Sequence, residues 1–166
     1  MHLHENWSAI KSVFCDAFRS SFHYAIATVN ADGEPHITPI GSMILGKPGH
    51  GLYFEEFTRT MPINMRANKK ICVLAVNSSR WYWIRSLVKG RFATAPAVRL
   101  YGTVGEARLA TDDEIGRWRQ RVSHLRLTKG HKLLWANMKF VRDIEFTRME
   151  PMLIGSMTSE LWKGRA

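Results

Sequence analysis

Residues 26–41 read IATVNADGEPHITPIG, and this stretch predicts a β-hairpin. The run 24–30 is rich in β-branched and aromatic side chains, and residues 36–45 form a second extended run. Between the two runs, residues 31–34 read ADGE, and the central Asp-Gly pair is favoured in tight hairpin turns. The sequence therefore predicts two antiparallel strands that a short turn connects.

The rest of the chain contains more predicted strands than helices. Residues 71–76 are apolar on both faces, which predicts a central strand covered on both sides. Residues 78–95 break the pattern and carry no predicted element. Strands are predicted over 24–30, 36–45, 52–55, 71–76, 98–109 and 141–148, and helices over 5–20, 60–68 (capped by Thr60) and 112–125 (behind a Thr111–Glu114 capping box). About six strands with so few helices predict a barrel or sheet of mostly antiparallel strands.

Length and charge restrict the class of protein. The 166 residues suit a single domain, and a formal net charge of +10 favours anionic partners such as phosphorylated cofactors, nucleic acid or acidic membrane surfaces. A plain basic surface would have the same composition. Because no run of eighteen apolar residues and no secretory leader is visible, we expect a cytoplasmic protein without a membrane partner. The two cysteines and seven histidines lack metal-ligand spacing, so no metal site is expected.

The second predicted strand is the first candidate binding segment. Alternate residues of a strand share a face, so two sets result: His36, Thr38, Ile40 and Ser42 on one face, and Ile37, Pro39, Gly41 and Met43 on the other. Pro39 cannot donate a ladder hydrogen bond and Gly41 has no side chain, so a flat ring could approach this backbone. An edge strand with a bulge would show the same pattern.

A second candidate lies in residues 54–60, directly ahead of the predicted short helix. Two hydroxyls, Thr58 and Thr60, flank the guanidinium of Arg59 there. Free amide groups and the dipole at a helix N-terminus attract phosphate, and Arg59 would add a charge-assisted contact. An ordinary helix cap would look similar.

The segment 80–85, RWYWIR, is the third candidate. Its tryptophans, Trp81 and Trp83, could pack across a dimer interface, line a substrate pocket or contact nucleic-acid bases. The sequence leaves these three interpretations open.

Four blocks in this order resemble the pyridoxamine 5'-phosphate oxidase-like family of FMN-binding split barrels. They are residues 26–41, the LYF at 52–54, the RANKKICVL at 66–74 and the VRLYGTVGEA at 98–107. The resemblance covers roughly residues 22–110. It implies a mainly β (α+β) fold, a split β-barrel of about six mostly antiparallel strands with flanking helices, and a homodimer that binds FMN.

The resemblance also implies positions for the cofactor. The flavin ring would lie along Thr38, Pro39, Ile40, Gly41 and Ser42. The phosphate would be held by Thr58, Arg59, Thr60 and Asn64. The oxidases have an Arg where this chain has Thr38, a Ser-Arg-Lys motif where it has residues 59–61, and a carboxy-terminal substrate segment that residues 153–166 do not match. Oxidation of pyridoxamine phosphate itself is therefore not expected.

The expected function is an FMN-dependent oxidoreductase with an unassigned small-molecule substrate and a nicotinamide as one candidate electron donor. Thr38 or Ser42 would donate a hydrogen bond to the ring, and substrate would enter beneath Trp81 and Trp83. No catalytic acid or base is assigned. A haem-binding or non-catalytic flavin-binding barrel is the first alternative, and a basic barrel that binds nucleic acid is the less favoured second.

Overall fold

A curled antiparallel sheet organises the chain in a computed structural model that describes residues 2–135, 138–159 and 161–162. Its strands are β1 Tyr24–Val29, β2 Pro35–Ile40, β3 Met43–Leu45, β4 His50–Phe54, β5 Lys70–Val76, β6 Ala97–Leu109 and β7 Phe140–Pro151. The helices are α1 Trp7–Ser21, α2 Thr60–Ala67, α3 Arg80–Lys89, α4 Asp112–Arg121 and α5 Lys129–Leu134, with 3-10 turns at Ser123–Leu125 and Gly155–Thr158. The strand order is β2-β1-β5-β6-β7-β4-β3, and every neighbouring pair is antiparallel.

The predicted hairpin is confirmed. Strands β1 and β2 pair from Tyr24 opposite Ile40 to Val29 opposite Pro35. The turn places Gly33 at a φ of 90°, a conformation that glycine adopts without strain. This hairpin forms one end of the sheet order, so β2 is an edge strand.

The described residues form seven strands because the predicted run 36–45 divides into β2 and β3. At the division, a Cβ on Gly41 would lie 2.6 Å from the carbonyl oxygen of Phe22, so only glycine fits this close approach. The next residue, Ser42, donates its hydroxyl proton to the carbonyl of Phe54 at 2.8 Å. Since β2 and β3 stand at opposite ends of the strand order, the bend carries the chain from one edge to the other and curls the sheet into a split-barrel-like shape.

Strand β5 corrects a second expectation. Its residues alternate between buried and half-buried, with Ile71, Val73 and Ala75 in the core and Cys72, Leu74 and Val76 on the other face. In the single chain one face of β5 is therefore fully buried, and the other face, which is also apolar, is partly exposed. Helix α1 packs against β5 and β1, and its apolar stripe, which includes Ile10, is buried in the core.

The helix α3 was not predicted. Apolar side chains occur both on the side of this helix that packs on the protein and on its exposed side, so the segment lacks the usual pattern of one core-facing apolar stripe and one polar face. The end signals are present: the hydroxyl of Ser79 accepts a hydrogen bond from the amide of Tyr82, and Gly90 ends the helix with a φ of 64°.

The start of α2 and the end of α4 also differ from the predictions. Helix α2 begins at Thr60, and its capping position is occupied by Arg59, whose side chain makes no cap hydrogen bond. Thr60 is thus the first helical residue and not the cap. The capping box of α4 is confirmed, because Thr111 and Glu114 exchange both hydrogen bonds. That helix ends at Arg121, so Leu125 lies in a separate 3-10 turn.

The described residues include no helix with the length and hydropathy needed to cross a lipid bilayer.

Candidate functional site

The edge strand β2 presents Thr38 with an unused hydroxyl. Thr38 lies opposite Ile26 of β1 and is half-buried. Its Oγ1 is buried, and no residue that the structure describes forms a hydrogen bond with it. Within the described sheet β2 pairs with β1 alone, so alternate backbone groups along its free side lie outside the ladder. The strand therefore offers a hydroxyl and backbone groups to a ligand.

The loop between β4 and α2 contains a second unused hydroxyl, that of Thr58. Its Oγ1 is buried and has no hydrogen-bond partner in the described part of the chain. The next residue, Arg59, is exposed and forms no ion pair with any described residue. Thr60 is exposed and starts α2, which has no side-chain cap. A cation, two hydroxyls and an uncapped helix N-terminus form an arrangement that suits a phosphate group.

Asn64 of α2 attaches this helix to the β1–β2 hairpin. It is buried, and its Nδ2 donates to Oγ1 of Thr28 at 3.0 Å and to Oδ1 of Asn30 at 2.8 Å. Thr28 lies opposite His36 of β2, on the same face as Thr38. The contact therefore holds α2 against the hairpin. Both amide protons of Asn64 are used within the protein, so Asn64 positions the helix.

Most of the other residues predicted to contact the flavin ring have structural roles within the fold. Ile40 is buried in the core, and Gly41 lies against the carbonyl of Phe22. Ser42 is buried and donates its hydroxyl proton to Phe54. Pro39 is exposed. Of the two hydroxyls predicted to reach a flavin ring, the one without an internal partner is thus that of Thr38.

A buried ion pair at the start of the β4–α2 loop was not predicted. Arg142 of β7 is 3% exposed, and its Nε lies 2.5 Å from Oε2 of Glu55. The phenol of Tyr53 donates to the same carboxylate oxygen at 2.7 Å. Burial, together with the hydrogen bond to Glu55, raises the pKa of Tyr53, so its phenol stays protonated. The sequence signal for this pair is only a charged residue within an otherwise regular strand.

The neighbouring carboxylate, Glu56, adds a second attachment. Its Oε1 accepts hydrogen bonds from the backbone amides of Lys139 at 2.5 Å and Phe140 at 3.3 Å. The two consecutive glutamates therefore fasten the beginning of the loop to the start of β7. Because Asn64 holds the helix that follows, Thr58 and Arg59 lie on a segment fixed at both ends.

The two tryptophans of α3 lie on different sides of that helix. Trp83 donates its Nε1 proton to the carbonyl of Asn77 at 2.7 Å and packs edge-on against Phe92. Trp81 is 80% exposed. A cavity of about 360 Å³ beside α3 is lined by Trp81 and Tyr82 and by none of the predicted flavin contacts. The segment that was predicted as a loop covering the substrate is therefore a helix, and its two tryptophans lie on different sides of it.

Across the described ranges, no group of three or more His, Cys, Asp or Glu side chains is placed to hold a metal ion.

Comparison with known families identifies the group to which the chain belongs. The sequence profile described as pyridoxamine 5'-phosphate oxidase matches residues 14–148, most of the chain. The chain belongs to the pyridoxamine 5'-phosphate oxidase family. The match spans β1 to β6 and most of β7, and so includes every residue predicted to contact a cofactor. The resemblance found in the sequence is confirmed.

Solved structures share the fold of this pyridoxamine 5'-phosphate oxidase family member. An FMN-binding protein from Syntrophomonas wolfei superposes with a TM-score of 0.62 at 11% identity, covering 90% of each chain. HupZ from Group A Streptococcus gives 0.56 at 20% identity, covering 86% of this chain and 92% of its own. A conserved hypothetical protein from Mycobacterium tuberculosis gives 0.54 at 16% identity, covering 91% and 93%. No curated protein matches. At these identities the comparisons establish the fold.

Proposed function

We propose that this chain is a flavoprotein that binds FMN between the edge strand β2 and the N-terminus of α2. The observation that carries the proposal is the pair of buried hydroxyls, those of Thr38 and Thr58, that lack partners in the described chain. Buried polar groups without a partner are costly and uncommon in folded proteins. Both belong to segments where family resemblance implies the cofactor, and a bound FMN would give each a partner.

The proposed phosphate site consists of Thr58, Arg59 and Thr60 at the start of α2. The exposed guanidinium of Arg59 supplies the positive charge, and the uncapped amide groups supply donors. The lysine of the oxidases has no counterpart here, so Arg59 carries the electrostatic attraction. Asn64 contributes by holding α2 against the hairpin.

The proposed ring site lies along residues 38–42, where backbone groups of the edge strand face the ligand. The hydroxyl of Thr38 would donate to a heteroatom of the ring. Bound FMN supplies hydride or electron transfer, and the protein supplies binding and orientation. The reaction class is thus an oxidation or reduction of a small molecule, with a nicotinamide as one candidate donor. That the Syntrophomonas relative is described as FMN-binding supports the assignment.

The partly exposed outer face of β5 supports a homodimer as the functional form. Leu74 and Val76 lie half-buried on the outer face, and Ile37 on the neighbouring hairpin is 66% exposed. An apolar sheet face that is partly exposed to water in the single chain is an interface candidate. We propose that a second copy of the chain covers it.

Titration of the purified protein with FMN tests the proposal. We expect flavin absorption bands in the purified or reconstituted protein and quenching of flavin fluorescence on binding. An Arg59→Ala, Thr60→Ala double variant should raise the Kd for FMN about 30-fold or more, because it removes a charged and a neutral phosphate contact.

The matched control is Arg66→Ala, which removes an exposed arginine from the other end of the same helix. Its Kd should stay within about threefold of the parent, the change expected of an exposed charge. Equal affinity of the double variant and the parent would place the phosphate elsewhere. A haem Soret band, or no binding of FMN at all, would refute the flavoprotein assignment.

A further inference from the structure

Helix α3 displays an apolar face to solvent. Trp81, Ile84 and Val88 follow one another at spacings of three and four residues, so they form one stripe along the helix. The exposed apolar side chains of this helix are Trp81 at 80%, Ile84 at 51%, Leu87 at 64% and Val88 at 84%. A soluble helix ordinarily turns such a stripe toward the core. Here the stripe points away from it.

The outward orientation is fixed by contacts on the opposite side of the helix. The phenol of Tyr82 donates to the carbonyl of Thr94 at 2.6 Å, and the indole of Trp83 donates to Asn77. Both rings pack against Phe92, which is buried. Rotating α3 to hide the apolar stripe would break these contacts. The exposure is therefore a consequence of how the helix is attached.

The charged residues on and directly after α3 are all positive. Four basic residues and no acidic residue occur between positions 80 and 91: Arg80, Arg85, Lys89 and Arg91. Arg85 and Lys89 flank the apolar stripe on one side, and all four are exposed. None of them forms an ion pair with a residue in the described ranges. The exposed face of α3 thus combines apolar side chains with uncompensated positive charge.

We propose that the exposed face of α3 binds the surface of an anionic phospholipid bilayer. Exposed apolar side chains enter the boundary between head groups and acyl chains, and flanking Lys and Arg side chains meet the anionic head groups. Trp81 is of the residue type that concentrates at this interface. The helix lies on the membrane and does not cross it. This departs from the sequence expectation of no membrane partner, which rested on the lack of a spanning segment.

Charge and residue type favour a bilayer over the two other possible occupants, a second copy of the chain and a nucleic acid. In a two-fold dimer the same patch meets itself, so the like charges of Arg80, Arg85 and Lys89 from both copies would be brought together. Nucleic-acid bases bind by stacking on aromatic rings. Trp81 is the one largely exposed ring of the helix, and the other exposed apolar side chains are aliphatic. The face therefore suits acyl chains better than nucleic-acid bases.

Cosedimentation of the full chain with vesicles tests the proposal. We expect binding at low salt to phosphatidylcholine vesicles that contain phosphatidylglycerol, and none to pure phosphatidylcholine. A Trp81→Ser, Val88→Ser variant should bind at least tenfold more weakly, because it removes inserted apolar surface. An Arg85→Gln, Lys89→Gln variant should bind on the order of 25-fold more weakly, since each charge contributes about fivefold.

Matched controls change the same residue types outside α3. Leu127→Ser alters an almost fully exposed leucine, and Arg126→Gln, Lys129→Gln removes two exposed charges nearby. Both should bind within about twofold of the parent. Circular dichroism establishes that each variant is folded. Because every altered side chain is exposed, the variants test contact with lipid and not the core.

Three outcomes would overturn the proposal. The parent could fail to sediment with anionic vesicles, or the α3 variants could bind as tightly as the parent. The controls could also lose as much binding as the α3 variants, which would indicate a general charge effect. If the Trp81→Ser, Val88→Ser change instead dissociated an oligomer while the parent ignored vesicles, a second copy would be the occupant.

Discussion

Nδ2 of Asn64 in α2 lies 3.0 Å from Oγ1 of Thr28 in β1, and this hydrogen bond joins α2 to the hairpin that includes the edge strand β2. Replacing Asn64 by Leu leaves the buried hydroxyl of Thr28 without this donor and removes the bond to Asn30. We expect the free energy of unfolding to fall by about 1–3 kcal/mol, the cost of unpairing buried polar groups. Urea denaturation measures this change.

The comparison for this prediction is Asn68→Ala, at the end of the same helix. Asn68 accepts a hydrogen bond from the amide of Lys70 in an exposed setting, so its loss should cost less than about 1 kcal/mol. The Leu variant at position 64 should also bind FMN more weakly, because α2 loses its attachment. A stability equal to that of the parent would show that the contact is dispensable.

The hydroxyls of Thr38 and Thr58 are buried without a partner in the described chain, so we expect their removal to affect stability and FMN binding differently. Replacement of either residue by Val removes a buried polar atom without a partner, so the apo protein should be equally stable or more stable. The same change should raise the Kd for FMN about five- to tenfold by removing a hydrogen bond to the ligand. Thermal melting without ligand and FMN titration measure the two effects.

Thr28→Val serves as the contrast, because the hydroxyl of Thr28 is paired with Asn64 in the protein itself. That variant should be less stable than the parent. If Thr38→Val and Thr58→Val also destabilised the apo protein, their hydroxyls would have partners within the fold, and the main support for the ligand site would be lost.

The half-buried Leu74 on the outer face of β5 predicts the effect of a charge at the proposed dimer interface. Leu74→Lys would place a charge on each copy's half of the proposed interface and bury it in apolar surroundings. We expect a dimer for the parent and a monomer for this variant in sedimentation velocity. Leu109→Lys, at an exposed position near the end of β6, should leave the dimer intact. A monomeric parent would rule out the proposed interface.

The capping box of α4 predicts a specific loss of stability in acid. The hydrogen bond from Arg108 holds the pKa of Glu114 at about 2, below its ordinary value of 4.5. A lowered folded-state pKa stabilises the protein above pH 4.5, and this stabilisation is lost as the pH falls toward 2. Since Arg108 is partly exposed, we expect a contribution of about 1–2 kcal/mol.

Glu114→Gln keeps an acceptor for the cap but removes the titrating group. Its deficit in unfolding free energy relative to the parent should therefore shrink between pH 5 and about pH 2. Asp113→Asn, which alters an exposed i,i+4 pair with Arg117, should change the unfolding free energy by no more than about 0.5 kcal/mol. A constant deficit for Glu114→Gln across this range would contradict the assignment.

Much of the fold follows from local patterns. The Asp-Gly turn predicts the hairpin, three- and four-residue spacing predicts α1, and Thr111 with Glu114 predicts the start of α4. These signals succeed because each depends on residues close together in the chain. Helix α3 was missed because its aromatic rings do not share one face. Tyr82 and Trp83 pack against the protein, and Trp81 is exposed. The caps of this helix, Ser79 and Gly90, are also local signals and could have revealed it.

The candidate site likewise combines features that the sequence predicted with features that only the structure shows. Residue type and order were enough to select Thr38 and Thr58 as candidate contacts, and the contact assignments themselves stay predictions. Which hydroxyl lacks a partner could not be predicted, because among the described residues Ser42 is paired with Phe54 and Thr38 has no partner. Nor could the ion pair between Glu55 and Arg142, whose partners lie 87 residues apart.

The sequence by itself determined the hairpin, the family and the basic charge, since these depend on local spacing, residue order and composition. The tertiary structure alone decided where the chain bends, because Gly41 is required by the carbonyl of Phe22, which lies between α1 and β1. It also decided which polar atoms lack partners and that Trp81 faces solvent. Burial and pairing are properties of the neighbours a side chain meets in space, and those neighbours come from distant parts of the chain.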